Sequence, residues 1–118
     1  MGSKDFEREY QAAARRAAKS DAIEPRAKSA RYDKRSRRIV VDLRNGSTFM
    51  FPPELAQGLA AADDRALSRI HITPSGAGLS WPDLDVDFSL PALMAGIFGT
   101  RGWMRKLTHR QRDTEQKA

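Results

Sequence analysis

A hairpin pattern near the middle of the chain constrains the fold more than any other feature. Apolar side chains alternate with polar or smaller ones over residues 39–43, Asn45-Gly46 follows as a turn, and Thr48–Phe51 is the predicted return strand. A two-residue loop would put the apolar residues of the two strands on opposite faces. A three-residue loop with a bulge unites them on one face, which would then carry Val41, Leu43, Phe49 and Phe51. The sequence therefore favours a bulged hairpin.

The residues after this hairpin predict a helix and two more strands. Pro53 suits the first turn of a helix that ends near Ala62. Its inner face would consist of Leu55, Ala56, Leu59 and Ala60. A third strand is expected at the apolar residues Leu67, Ile70 and Ile72, and a turn follows over residues 74–78. Leu79 and Trp81 alternate in a short fourth strand, and we expect Trp81 to close the core.

A second helix is predicted to start at Ser89, since serine is a favoured N-cap residue. Asp87 is expected to complement the dipole of this helix. Helical spacing is followed by Leu90, Leu93, Met94, Ile97 and Phe98, and Gly99 is the predicted end.

The two ends of the chain predict helices outside this domain. Residues 4–19 are strong helix formers with a weak, alanine-rich stripe, and residues 103–116 form a basic helix. Their large apolar side chains are candidate partner-binding residues: Phe6, Tyr10, Trp103, Met104 and Leu107. Helical spacing favours packing of the C-terminal three on the domain, and an exposed anchor is the alternative.

A chain of 118 residues is long enough for one core and too short for two. We therefore expect an α+β fold, with a small, mainly antiparallel sheet of three to four strands packed against two helices and with helical N- and C-terminal extensions. The predicted divisions are a helical basic arm at 1–37, the α+β domain at 38–99 and a basic C-terminal helix or tail at 100–118.

The net charge of +6 is concentrated at the two ends of the chain, and residues 38–99 are acidic on balance. A basic connector before the hairpin is the best nucleic-acid candidate, because lysine and arginine neutralise phosphates and Tyr32 within it could stack on a base. Against this, Asp33 interrupts the run, and a solvated linker is the alternative. The candidate residues are Arg26, Lys28, Arg31, Lys34, Arg35, Arg37 and Arg38.

The run Trp81-Pro82-Asp83-Leu84-Asp85-Val86-Asp87, placed after an Asn-Gly hairpin and before residues 89–96, carries a family resemblance. Residues 38–103 resemble the bacterial domain-of-unknown-function family 2442. The resemblance implies a small α+β fold with no established activity. It also implies an association with another small protein, since relatives often look like half of a two-gene module, as toxin–antitoxin pairs do.

Three further patterns resemble sites of chemistry. Asp83, Asp85 and Asp87 alternate like calcium ligands, but the glycine and glutamate of a calcium loop are missing. The glycine-rich residues 75–78 precede a strand, which favours an ordinary turn over a phosphate loop. His71 and His109 are isolated, and the chain has no cysteine. We therefore predict no catalytic residue, metal site or cofactor.

These observations predict a non-enzymatic protein-interaction domain, such as the antitoxin-like or accessory half of a two-gene bacterial module. Its partner would be another protein or a second copy of the chain. The alternative is a small nucleic-acid-binding regulator that uses the basic connector. The absence of cysteine, of a signal peptide and of a long apolar run predicts a cytoplasmic protein without a membrane partner.

Overall fold

A computed structural model describes residues 24–117, with side chains for residues 24–110. The helix predicted over residues 4–19, with Phe6 and Tyr10, lies outside the described residues.

The first sheet is an antiparallel meander of three strands. They are β1 (Ala27–Asp33), β2 (Arg38–Leu43) and β3 (Thr48–Phe51), in the order β1-β2-β3. The expected connector over residues 26–38 is therefore wrong, because β1 occupies most of it. Ala30 and Tyr32 lie opposite Val41 and Ile39 and turn toward the core, and Arg31 between them is polar.

The predicted bulged hairpin is confirmed. Val41 pairs with Phe49, and the Leu43 N–H donates to the Ser47 carbonyl at 2.8 Å, which leaves a three-residue loop. Gly46 has a φ of +92°, a conformation that glycine adopts without steric cost. The buried face of the two strands is therefore the one expected.

The predicted α-helix over residues 53–62 is wrong. A single 3-10 turn forms at Pro53–Leu55, and Ala56 then takes an extended backbone. Gly58 has a φ of +87°, and a Cβ built on it would lie 2.5 Å from Cγ2 of Val86. The helical turn has therefore already ended when the chain reaches Gly58, where the close approach of Val86 leaves no room for a Cβ. Leu59 is still fully buried, as the apolar pattern predicted.

The second sheet is also antiparallel and has three short strands. They are β4 (His71–Ile72), β5 (Gly78–Trp81) and β6 (Val86–Ser89), in the order β4-β5-β6. The expected third strand is reduced to two residues, because helix α1 (Asp64–Ser68), which was not predicted, precedes it. The Asp63 side chain caps α1 by accepting from the Ala66 N–H at 2.8 Å. The α+β class is confirmed, with the strands divided between two sheets.

Helix α2 (Leu90–Met94) is capped by Ser89, as predicted, whose side chain accepts from the Ala92 N–H. Asp87 lies two residues before this cap, in β6 and opposite Ser80, and the first turn of the helix itself contains no acidic residue. The helix was expected to reach Gly99, but Gly96 has a φ of +86° and follows directly on its C-cap. Ile97 is consequently not on a helix and is 52% exposed.

The core lies between the two sheets and α2. Trp81 is fully buried there, as predicted, and its Nε1 donates to the Leu67 carbonyl at the end of α1 at 3.1 Å. Its ring meets that of Phe88 edge-on at 6.3 Å. The other fully buried large side chains are Ile39, Val41, Leu59, Leu79, Leu90 and Leu93.

The last element is helix α3 (Arg101–Lys117), which confirms the basic C-terminal helix. Thr100 starts it, since the Thr100 hydroxyl accepts from the Trp103 N–H at 3.2 Å. The Thr100 N–H itself donates to the Gln57 side chain at 2.9 Å, which ties the start of the helix to the domain.

Candidate functional site

The start of α3 and the loop before it enclose an open groove that we call the Met104 groove. It is lined by Ile97, Gly99, Arg101, Met104 and Arg105, and its volume is about 670 Å³. The loop is held against the helix by a hydrogen bond from the Phe98 N–H to the Met104 sulfur at 3.3 Å. Its apolar lining side chains are Ile97 and Met104, which we call the floor, and its two exposed arginines, Arg101 and Arg105, are called the rim.

The three C-terminal candidates for partner binding have different surroundings. The Trp103 indole N–H donates to the Leu55 carbonyl at 2.7 Å, and Leu107 is only 9% exposed. The Trp103 hydrogen bond therefore attaches α3 to the domain, and the burial of Leu107 leaves it little surface for a partner. Met104 is half-buried and is the one of the three that lines the groove. Phe6 and Tyr10 lie outside the described residues.

The groove contains residues that the sequence analysis did not select, namely Ile97, Arg101 and Arg105. Ile97 was expected on the inner face of α2, and it is exposed because Gly96 ends that helix. A glycine directly after an apolar helical run is a common helix end, so Gly96 itself was the available signal.

The basic candidates assemble into a second surface, the cationic hairpin. Its five exposed side chains belong to Arg31, Lys34, Arg35, Arg37 and Arg38. Arg31 pairs with Val40 and Arg38 with Asp33, so both project from the outer face of the first sheet. The other three occupy the turn between β1 and β2. Arg26 and Lys28 are separated from this group, because they lie at the opposite end of β1.

The turn of the cationic hairpin is organised by Asp33. Its carboxylate accepts from the Ser36 hydroxyl at 2.7 Å and from the Arg35 N–H at 3.3 Å. The hydrogen bond from Ser36 is the largest cause of a lowered pKa for Asp33, and the Arg35 N–H and nearby Arg31 act in the same direction. Arg37 closes the turn with a φ of 57°. Asp33, the acidic residue that interrupts the basic run, thus fixes the conformation of the turn that carries the basic side chains.

Tyr32 is not available to stack on a base beside these cations. It lies on the core face of β1, and its hydroxyl donates to Asp64 at 2.9 Å. Desolvation, and next the bond to Asp64, raise the pKa of this hydroxyl. Lys34 approaches the same Asp64 carboxylate at 4.0 Å.

The three aspartates that alternate like calcium ligands do not converge. Asp83 pairs with Arg69 at 2.7 Å, Asp85 adopts a left-handed conformation with a φ of 53°, and Asp87 lies in β6. Over the part of the chain that the structure describes, no three His, Asp or Glu side chains cluster as metal ligands would. Residues 75–77 belong to the turn between β4 and β5, as predicted, and Gly78 begins β5. His71 is exposed, also as predicted.

Comparison with known proteins adds a family and two solved structures. The model of a family described as protein of unknown function (DUF2442) matches residues 27–99. A crystal structure of a protein of unknown function from Rhodospirillum rubrum is 62% identical, with a TM-score of 0.67, and covers 69% of this chain and 98% of its own. The solution NMR structure of an uncharacterized protein from Chromobacterium violaceum is 29% identical, with a TM-score of 0.66, and covers 80% and 86%.

No curated protein matches the chain. Within residues 24–117, no helix has the length and apolar character that a membrane crossing requires.

Proposed function

Because this chain belongs to the DUF2442 family of proteins of unknown function, we propose a function from its own surface: it is a non-enzymatic protein-interaction domain of the cytoplasm. The observation that carries the proposal is the Met104 groove. The partner is a protein segment, supplied by another small protein as in an antitoxin-like or accessory module, or by a second copy of the chain.

The chemistry of the groove suits a protein segment with apolar side chains and flanking carboxylates. Ile97 exposes about half of its surface, and burying it under a partner would remove that apolar area from water. Arg101 and Arg105 can pair with carboxylates at the rim, and arginine is enriched among residues that dominate binding energy. Neither guanidinium forms an ion pair with another residue of the described range.

The proposal is tested by affinity capture from lysate with a matched pair of variants. Ile97→Glu places a charge on the groove floor, and Met50→Glu places one on the outer face of the first sheet. The two parent side chains are exposed to nearly the same degree, 52% and 54%. We expect a nuclease-resistant protein partner to be lost from Ile97→Glu and retained by Met50→Glu. Equal retention by both variants would contradict the proposal.

The second candidate function is nucleic-acid binding through the cationic hairpin, and it is favoured by five exposed cations on one β1–β2 hairpin, three of them in its turn. Contacts with phosphates make the binding affinity fall as the salt concentration rises. In a plot of the logarithm of the binding constant against the logarithm of the salt concentration, each contact adds about 0.9 to the downward slope. Arg35→Ala with Arg37→Ala should therefore lower the slope by roughly 2. Arg44→Ala with Arg65→Ala, two exposed arginines outside the cationic hairpin, is the matched control and should leave it unchanged. Binding without salt dependence would remove this candidate.

A further inference from the structure

We propose that the Met104 groove binds a second copy of this chain, in a symmetric dimer in which Arg101 and Arg105 of each copy face Asp85 and Asp87 of the other. The inference rests on the proposed function, since the same groove does the binding, and it identifies the partner as the second copy. The partner's contribution is an acidic depression that adjoins the groove on each copy.

The acidic depression has a volume of about 490 Å³, and Asp85 and Asp87 are among its lining residues. Gly99 lines both this depression and the Met104 groove. Thr100 belongs to the depression, and Arg101, the next residue, belongs to the groove. The two therefore adjoin where α3 begins, and together they form one surface.

The two ends of this surface carry opposite charges. Arg101 and Arg105 are at the groove end. Asp85 and Asp87 are at the depression end, and all four side chains are exposed. None of the four forms an ion pair with another of the side chains described over residues 24–110. Each copy thus offers two cations and two carboxylates to another molecule.

This pattern of charge is self-complementary. The two copies in a symmetric dimer bury the same patch, and a two-fold axis relates them. An axis that crosses the surface at Gly99 places the basic end of one copy over the acidic end of the other, and the same pairing recurs on the other side of the axis. A groove with Arg101 and Arg105 alone would repel its own copy, so the adjoining carboxylates make the second copy a suitable partner.

The spacing of the charges also matches. Arg101 and Arg105 are four residues apart on α3, which separates their Cβ atoms by about 5–6 Å. Val86 begins β6, so the Cα atoms of Asp85 and Asp87 are about 6–7 Å apart. Each arginine can therefore meet one carboxylate, and arginine binds carboxylates with strong, directional hydrogen bonds.

The groove adds apolar area to these ion pairs. Among the residues with described side chains, the exposed large hydrophobic ones are Met50, Met94 and Ile97. Met94 and Ile97 lie three residues apart, at the end of α2 and in the loop that follows it. Ile97 lines the groove, so a symmetric dimer removes this side chain from water on both copies.

The experiment is sedimentation equilibrium on the full chain and on two charge-reversed variants. The arginine variant carries Arg101→Glu with Arg105→Glu. The aspartate variant carries Asp85→Asn with Asp87→Arg, because asparagine tolerates the left-handed backbone of residue 85. We expect the parent to dimerise. Each variant alone should have a dimer dissociation constant about 100-fold higher or more, because like charges then face each other.

An equimolar mixture of the two variants distinguishes lost pairing from lost folding. Each variant supplies the charge that the other has reversed, so we expect the mixture to dimerise about as tightly as the parent. Arg35→Glu with Arg38→Glu makes the same change of net charge as the arginine variant, on the cationic hairpin, and this control should remain dimeric. A mixture of folded variants that stays monomeric, or single variants that dimerise like the parent, would overturn the inference.

Ile97→Glu connects this test with that of the proposed function. It should dissociate the dimer, whereas Met50→Glu should leave it intact. A parent chain that remains a monomer up to about 1 mM would also overturn the inference. If the parent is monomeric and Ile97→Glu still loses a captured protein of different sequence, the inference fails and the proposed function stands. If neither a dimer nor a captured protein is found, both fail.

Discussion

Replacing Trp81 by phenylalanine should cost about 2–4 kcal/mol of unfolding free energy. The indole is fully buried, and its Nε1 satisfies the Leu67 carbonyl at the end of α1. Phenylalanine leaves that carbonyl without its donor in a dry site, at a cost of ~1–3 kcal/mol. The smaller ring also leaves a void of ~40 Å³, which adds ~1 kcal/mol at ~24 cal/mol per Å³. Because small domains are stable by about 5–15 kcal/mol, the variant should still fold.

The matched control is Trp103→Phe, because this chain has two tryptophans and each donates to a backbone carbonyl. The bond from Trp103 to the Leu55 carbonyl is only part-buried, so water can replace the lost donor. We expect a loss of about 0.5–1.5 kcal/mol. Urea unfolding followed by circular dichroism measures both variants with the same signal. Equal losses, or a loss below about 1 kcal/mol for Trp81→Phe, would refute the reasoning.

Three other predictions concern caps, close contacts and pH. Ser89→Ala should cost about 1 kcal/mol in urea unfolding because it removes the cap of α2, whereas Asp87→Ala should change stability by less than about 0.5 kcal/mol. Gly58→Ala should cost about 2–4 kcal/mol of unfolding free energy, since an alanine there has a strained φ and its Cβ clashes with Val86. Part of that loss should disappear in a Val86→Ala background, and fully additive losses of the two substitutions would contradict the clash. The lowered pKa of Asp33 means that its carboxylate stabilises the fold above its unfolded pKa, near 3.8, and that this stabilisation is lost as the pH falls through the folded value. Asp33→Asn should therefore be less stable than the parent at neutral pH and equal to it in strong acid, and a stability difference independent of pH would exclude this role.

The sequence predicts the parts of the fold that local patterns control. The register of the β2–β3 hairpin follows from the Asn45-Gly46 turn and from the alternation of large apolar side chains with polar or smaller ones, both of which lie within the hairpin itself. Strand β1 was missed because its inward side chains include the small Ala30, so its alternation resembles a charged linker. The helix at Pro53 was overpredicted: the chain becomes extended at Ala56, and Gly58 then lies against Val86, which is distant in sequence. Contacts of that kind cannot be read from a local window.

The candidate surfaces were predictable in composition and not in geometry. The basic residues were identified as a group, but only the β1–β2 turn shows that Arg31 and Arg37 belong together while Arg26 is elsewhere. For the Met104 groove, the residue at which α2 ends determines whether Ile97 is exposed in the groove. If α2 continued past Gly96, Ile97 would lie on that helix. The sequence offers two glycines, Gly96 and Gly99, at which the helix could end, and the structure uses Gly96.

The separation of the two sheets along the chain has a consequence for synthesis. The first sheet is complete at Phe51, but the residues that cover its inner face, such as Trp81 and Leu93, are translated later. At about 5–20 residues per second, the ribosome exposes that apolar face for roughly 2–8 s on every nascent chain. A ribosome-bound chain long enough to expose Phe51 but not Trp81 should bind a hydrophobic dye or a chaperone, and one that exposes Leu93 should release it.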